Sequence, residues 1–105
     1  MVEQSKITEY LLNPAHRFGA TKAAFFSSFG FRVEDWEALA AALCEQGQKH
    51  EVSNVRETGF GPRYEVDGDL RVPDGHRPRV RTVWQVDHGQ FAPRLITAYP
   101  VEAKP

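Results

Sequence analysis

The order of the predicted elements indicates an α+β fold, with two to three N-terminal helices packed on one face of a four-stranded, mainly antiparallel sheet. Three observations support it: helical spacing of apolar residues in the first fifty positions, strand-like alternation after Glu51, and a hairpin signal near the end. Helices that precede the strands, rather than alternate with them, favour this arrangement. The 105 residues suffice for one domain with one core.

The first half of the chain contains three segments with helical signals. Lys6–Leu12 is predicted as one or two turns ended by Asn13-Pro14, because a residue before proline is pushed out of the α region. Thr21–Phe29 is predicted as a second helix, closed by Gly30. Glu34–Gln48 is predicted as the third helix. Its apolar stripe consists of Trp36, Leu39, Ala40, Leu43 and Gly47.

Strand signals begin just after the third helix. Val52–Glu57 and Arg63–Val66 are predicted as strands around a turn at Gly59–Pro62. Asp67-Gly68 is predicted to turn the chain again, because this dipeptide is typical of tight turns. Extended structure is expected to resume at Leu70–Val72.

The last predicted hairpin joins Arg79–Asp87 to Pro93–Val101 through His88–Ala92, where Gly89 supplies a positive φ. One face of the first strand is suited to a core and carries Val80, Thr82, Trp84 and Val86. The second strand mixes apolar and polar residues on both faces, which predicts an inner strand covered on each side.

Composition narrows the classes of protein to be considered. A net charge of −1 excludes a strongly basic nucleic-acid binder, because counterion release needs clustered cations. Cys44 is the only cysteine, which excludes an intramolecular disulfide and favours a buried structural thiol. No apolar run approaches the roughly 20 residues that span a bilayer, and no signal peptide is visible, so a cytoplasmic location is expected. Residues 1–5 and 102–105 are predicted as loose tails.

The chain carries no pattern typical of a metal, cofactor or serine-nucleophile site. The four histidines lack the spacing that metal ligands show on a helix, so neither a metal nor a cofactor is expected. The aspartates near residue 70 lie among Gly and Pro and suit turns better than a calcium loop. No Gly-x-Ser-x-Gly elbow occurs.

Three motifs carry a resemblance to known proteins. They read Leu11-Leu12-Asn13-Pro14-x-His16-x-x-Gly19-x-x-Lys22-Ala23-x-Phe25-Phe26, then Thr82-x-Trp84, then Pro93-Arg94-Leu95-x-Thr97-Ala98-Tyr99-Pro100. With these motifs the chain resembles, from about Ile7 to Pro100, a family of small bacterial proteins known as a domain of unknown function. A looser resemblance, resting on element order and the terminal motif, is to the barnase–EndoU–colicin–RelE-like ribonuclease fold, and it supports a function only by association.

The residues suggest a chemistry that agrees with this looser resemblance. RNA is cleaved without metal when a base removes the 2′-hydroxyl proton, an acid protonates the leaving 5′-oxygen and cations stabilise the charge on phosphorus. We expect His16 as acid or base, Lys22 and Arg94 as phosphate clamps, and Tyr99 as a further catalytic group. The expected binding residues are Arg79, Arg81, Thr97 and Trp84.

Each of these residues also has a structural interpretation. His16 can bond the linker backbone, and Lys22 can extend from an apolar stripe to water. Arg79 and Arg81 can belong to a solvated strand face, and Tyr99 can be a half-buried sheet aromatic. The sequence alone does not choose between the two interpretations.

The last strand also poses a geometric problem. Arg94 and Thr97 are separated by an odd number of residues, so in a regular strand their side chains point to opposite faces. A single site that uses both residues needs a bulge or the end of the strand. The hypothesis of a shared site therefore requires an irregularity between them.

Three hypotheses for the function follow. The first is a metal-independent ribonuclease acting on RNA, as the toxin half of a toxin–antitoxin or phage-defence pair. The second is a non-catalytic interaction module, an immunity partner or an adaptor, which binds another protein through its sheet edge or an aromatic surface. The third is a small-ligand pocket between helices and sheet, lined by phenylalanines, Trp84 and Tyr99.

Overall fold

A computed structural model describes residues 1–101 and confirms the α+β fold, with helices packed against a four-stranded antiparallel sheet. The helical elements are α1 (Gln4–Lys6), which continues as a π-helical turn (Ile7–Leu11), then α2 (Ala20–Ser28) and α3 (Trp36–Lys49), preceded by a 3₁₀ turn (Val33–Asp35). The strands are β1 (Val52–Thr58), β2 (Gly61–Asp69), β3 (Arg79–Gln85) and β4 (Arg94–Pro100). Within the described part of the chain, no helix is both long and apolar enough to cross a membrane.

The strands follow one another in the order β1-β2-β3-β4, so β1 and β4 are the two edges. The prediction that the last strand is an inner strand is therefore wrong. The mixture of apolar and polar residues in β4 has another cause, which is that the N-terminus covers the start of this strand. The Leu95 N–H donates to the Met1 carbonyl over 3.0 Å, and the Met1 amino group donates to the Pro93 carbonyl. These contacts differ from the loose tail expected for residues 1–5, while residues 102–105 lie outside the described part.

The hairpin of β3 and β4 is confirmed, with Gly89 at a φ of 79° in the connecting loop. The predicted turn at Asp67-Gly68 is wrong, because both residues pair with β3 inside β2. Asp67 accepts two hydrogen bonds from the guanidinium of Arg81 across the sheet. Glycine at position 68 is explained by close packing and not by a turn, because a side chain there would collide with the ring of His50.

The core lies between α3 and the sheet. Leu39 and Leu43 of the predicted α3 stripe are fully buried, as is Phe26 of α2. Trp36 and Ala40 are only half-buried, and so is Cys44, for which a buried position was expected. The helix therefore presents a narrower buried stripe than its spacing predicts.

A buried polar network fixes how α3 lies on the sheet. The Gln46 amide donates to the carbonyls of Val66 and Val80 over 3.0 and 3.1 Å. The Thr82 hydroxyl donates to Gln46 over 2.6 Å and accepts the Trp84 indole N–H over 2.8 Å. Because buried polar groups are costly when unpaired, this network specifies one register of the helix on the strands.

Candidate functional site

A bulge in β4 solves the spacing problem of the last strand. Val83 pairs with Thr97 and Trp84 pairs with Leu95, which leaves Ile96 as an extra residue between them. A bulge of this kind shifts the alternation of side chains by one position. Of the residues on β4, Leu95 and Ala98 are buried on the helix side of the sheet. The other side, called the open face here, carries Arg94, Thr97 and Tyr99, which pair with Gln85, Val83 and Arg81.

The linker between α1 and α2 is folded by its own side chains. The Asn13 side-chain oxygen accepts the Ala15 N–H over 2.9 Å. Nδ1 of His16 accepts the N–H groups of both Phe18 and Gly19 over 3.0 Å. In the neutral ring the proton is therefore assigned to Nε2, which leaves that nitrogen as a donor.

Tyr10 lies at the centre of the site and was missed by the sequence analysis. Its ring contacts His16 edge to face at 4.8 Å between centroids, and its hydroxyl shares a 3.0 Å hydrogen bond with Thr97. The ammonium groups of Lys6 and Lys22 lie 5.3 and 5.6 Å from the ring centroid. The structure thus brings three predicted site residues, His16, Lys22 and Thr97, around one aromatic ring.

We call the depression at this place the Tyr10 cleft. It has a volume of about 400 Å³ and is lined by Lys6, Tyr10, His16, Phe18, Ile96 and Thr97, none of which is acidic. The Phe18 ring is 68% exposed, and the Arg17 guanidinium lies 5.3 Å from its centroid. A cleft with ammonium groups and an exposed ring offers contacts for an anion and for a planar group beside it.

Two ammonium groups near the Tyr10 ring, that of Lys6 in the lining of the cleft and that of Lys22 beside it, have no carboxylate partner among the described residues. Across residues 1–101, Lys6 and Lys22 form no ion pair; Lys22 donates instead to the Phe18 carbonyl over 3.3 Å. Among the described residues, these ammonium groups contact the face of the Tyr10 ring and, in the case of Lys22, the Phe18 carbonyl. The cleft is therefore locally positive, although the whole chain has a net charge of −1.

The arginines of the open face are in a different situation. Arg81 bonds both carboxylate oxygens of Asp67, at 2.7 and 2.9 Å, and lies 5.9 Å from the Tyr99 ring centroid. The hydrogen bonds to Asp67, and then to Tyr99, raise the pKa of Arg81. Arg94 bonds both oxygens of Asp87, at 2.7 and 3.3 Å, which raises the pKa of Arg94 and lowers that of Asp87.

Two further predicted binding residues lie apart from the cleft. Arg79 is exposed on β3, opposite Asp69 of β2. Trp84 is 7% exposed on the helix side of the sheet and lines a separate apolar groove of about 410 Å³, together with Cys44, Tyr64 and Phe91. Phe91 is 98% exposed at the rim of this apolar groove. Trp84 therefore belongs to a second surface, and the structure does not join it to the cleft.

Comparison with known proteins identifies the family. A family model described as "Domain of unknown function (DUF6883)" matches residues 1–102, so the chain belongs to this family, as the motifs indicated. No curated protein matches the chain. It is similar to a chain in the solved structure "Contact-dependent growth inhibition toxin - immunity protein complex from Klebsiella pneumoniae 342", with a TM-score of 0.75 and 13% identity over 95% of this chain and 98% of that one. This likeness shows a shared fold.

Proposed function

We propose that the chain is a ribonuclease-like domain of the toxin type, which binds RNA at the Tyr10 cleft and cleaves it without a metal ion. The observation that carries this proposal is the convergence of His16, Lys22 and Thr97 on Tyr10, beside ammonium groups that no described carboxylate neutralises. RNA supplies the anion that such a cleft lacks.

The ammonium groups perform the electrostatic part of the reaction. Lys6 and Lys22 lie 5.3 and 5.6 Å from the centroid of the same ring, so both add positive potential where a phosphate would bind in the cleft. Both ammonium groups are charged before the substrate binds, and no ion pair with a described carboxylate has to break when they bind it. Such preorganised groups stabilise the charge that develops on phosphorus, and one of them contributes about 10²–10³-fold in rate.

His16 acts first as a hydrogen-bond donor. Because Nδ1 accepts two linker N–H groups, Nε2 carries the ring proton and can donate to a phosphate oxygen. Transfer of that proton to the leaving 5′-oxygen requires Nδ1 to take up a proton from water first, since the ring cannot become an anion. The proton of the attacking 2′-hydroxyl is released to water. The linker must release Nδ1 for this step, so acid catalysis by His16 is coupled to a local opening of residues 16–19.

The open face extends the proposed RNA track beyond the cleft. The bulge at Ile96 aligns Thr97 with Tyr99 and Arg94 on one surface. Tyr99 offers a ring for base stacking, and Arg94 clamps a phosphate by exchanging Asp87 for it. On the neighbouring strand Arg79 adds an exposed cation, while Arg81 would bind a phosphate only by exchanging Asp67 for it.

The second candidate function is a non-catalytic interaction module of the immunity or antitoxin kind. The apolar groove favours it, because Phe91 at its rim and Phe60 in the turn after β1 are 98% and 72% exposed. Exposed apolar patches are typical of protein-binding surfaces. The similar solved structure is titled a toxin–immunity protein complex, which supports a protein partner of that kind in either case.

Expression in a bacterial host separates the two candidates. We would compare growth and RNA integrity after inducing the wild-type chain, Lys22→Ala, His16→Asn and His16→Gln, each checked for folding by circular dichroism. Asn keeps an acceptor for the linker, and Gln keeps a donor near the position of Nε2. Lys49→Ala is the matched control, because Lys49 is an exposed lysine on α3 that already pairs with Glu45.

The proposal predicts growth arrest and RNA cleavage by the wild type, relief by Lys22→Ala and His16→Asn, partial activity of His16→Gln, and no relief by Lys49→Ala. If His16→Asn retains full activity, His16 only holds the linker. If neither arrest nor RNA cleavage occurs with the wild type, the ribonuclease proposal fails and the interaction module takes its place.

A further inference from the structure

We infer that the free edge of β1 and the adjoining apolar groove bind an extended segment of a partner protein, in which apolar residues alternate with acidic ones. This binding mode adds a strand to the sheet through main-chain hydrogen bonds, while alternate side chains enter the groove. The inference is independent of RNA cleavage, because it rests on the opposite edge of the sheet from the Tyr10 cleft.

The two sheet edges differ in how they are covered. The first residues of β4 are paired with the N-terminus through Met1. Within residues 1–101, β1 pairs only with β2, and six of its seven residues are exposed. After a bulge next to Ser53, residues 54–58 keep an unbroken register with β2. A regular strand with unpaired N–H and C=O groups is a template for another strand.

The side chains beside this edge are suited to apolar contacts. Val52 and Val55 are 49% and 54% exposed on β1. Val55 lies opposite Tyr64, which lines the apolar groove together with Val52, Trp84 and Phe91. Apolar side chains of an added strand that point to this side would therefore continue the row from Val55 into the groove.

Charge on the other side of the edge selects the partner. Arg56 of β1 lies directly opposite Arg63 of β2, and like charges at this position destabilise a sheet. Arg63 donates to the Gln85 side chain over 3.2 Å, and neither arginine forms an ion pair within residues 1–101. An acidic residue on an added strand would lie beside Arg56 and offset this repulsion.

The same charges disfavour a second copy of the chain as the occupant. If β1 paired with itself in antiparallel fashion about Val55, Asn54 of the second copy would lie opposite Arg56. Arg56 of the second copy would then be the diagonal neighbour of the first Arg56. This arrangement adds a third positive charge to the pair of Arg56 and Arg63. A different protein with carboxylates at this position is the better match.

Two peptides test this inference directly. An acetylated TVEVEVT peptide and its TVKVKVT counterpart are titrated into the ¹⁵N-labelled chain, and amide shifts and hydrogen exchange are followed by NMR. We expect the acidic peptide to protect β1 amides, to shift the Trp84 indole signal and to bind about fivefold tighter than the basic one. Arg56→Glu should reverse this preference, and Val55→Lys should weaken both peptides. Arg32→Glu makes the same change of charge outside the sheet and should leave the binding of both peptides unchanged.

Three results would overturn the inference: no protection of β1 by either peptide, equal binding of both peptides, or a dimer of the free chain that Val55→Lys disperses. The last result would show a second copy on this edge. Because the readout does not involve RNA, a failure here is distinct from a failure of the ribonuclease proposal.

Discussion

The lysines of the Tyr10 cleft and the arginines of the open face carry the same charge but have different neighbours. Lys6 and Lys22 lie over an aromatic ring, whereas Arg81 and Arg94 each hold both oxygens of a carboxylate. A phosphate can bind the lysines directly, but at the arginines it must displace an existing partner. In the proposed site, the cations that bind substrate are therefore distinguished by the absence of a carboxylate neighbour and not by residue type.

The largest expected effect follows from removing one cleft cation. Lys22→Ala should lower the rate of RNA cleavage about 10²-fold, because it removes a preorganised charge from the transition state. Arg94→Ala should lower it less than about tenfold, because Asp87 already neutralises Arg94 in the free protein. Initial rates on an end-labelled RNA measure both variants. A larger loss with Arg94→Ala would reverse the proposed ranking of the two regions.

A change in the wall of the cleft should cost stability. In Gly19→Ala the new Cβ would lie 2.5 Å from the Tyr10 carbonyl oxygen, so the linker must move away from Tyr10. Overpacking of this kind costs about 1–3 kcal/mol of unfolding free energy, measured by urea denaturation. Gly59→Ala is the control, since a Cβ there meets no atom within 4 Å. Equal stability of the two variants would mean that Tyr10 and the linker are loosely packed.

The ion pairs of the open face should show measurable coupling. A double-mutant cycle with Arg81→Ala and Asp67→Ala should give about 1 kcal/mol, because the pair is bidentate and both side chains are partly buried. The more exposed pair of Arg94 and Asp87 should give less. Zero coupling between Arg81 and Asp67 would place Arg81 among the cations available to a ligand.

The smallest effect is a pH dependence of the ion pair between Arg94 and Asp87. The hydrogen bond from Arg94 lowers the pKa of Asp87, so this carboxylate stabilises the fold above the usual aspartate range. That contribution is lost as the pH falls through the lowered pKa. The stability difference between the wild type and Asp87→Asn should therefore shrink in acid, as followed by thermal unfolding between pH 7 and pH 2. Lys22→Ala should leave the acid limb of the wild type unchanged.

The fold was predictable where its signals are local. Helical spacing and the Gly89 hairpin are visible in short windows of sequence and are confirmed by the structure. The length of β2 was not predictable in this way, because it depends on contacts between residues that are distant in sequence. Asp67 accepts hydrogen bonds from Arg81, and Gly68 packs against the ring of His50. The edge position of the last strand likewise depends on strand order, which no local window contains.

The residues that surround Tyr10 in the candidate site were predictable in part for the same reason. His16, Lys22 and Thr97 belong to visible motifs, but the bulge at Ile96, which gives Thr97 and Arg94 a common face, leaves no signal in the sequence. Tyr10 was missed, although its spacing of four residues from Lys6 places both on one side of a helical turn. Gln46 offered another signal, because it lies three positions after Leu43 and therefore on the side of the helix that carries the predicted apolar stripe.

Binding of RNA at the Tyr10 cleft is tested most directly by an NMR titration of the ¹⁵N-labelled chain with a 2′-O-methyl oligonucleotide, which cannot be cleaved because its 2′-oxygen is blocked. We expect the largest amide shifts at Tyr10, Phe18, Gly19 and Thr97, and we expect Lys22→Ala to abolish them. Shifts confined to Arg79–Gln85 and Arg94, or no shifts at all, would contradict the claim that the Tyr10 cleft binds RNA.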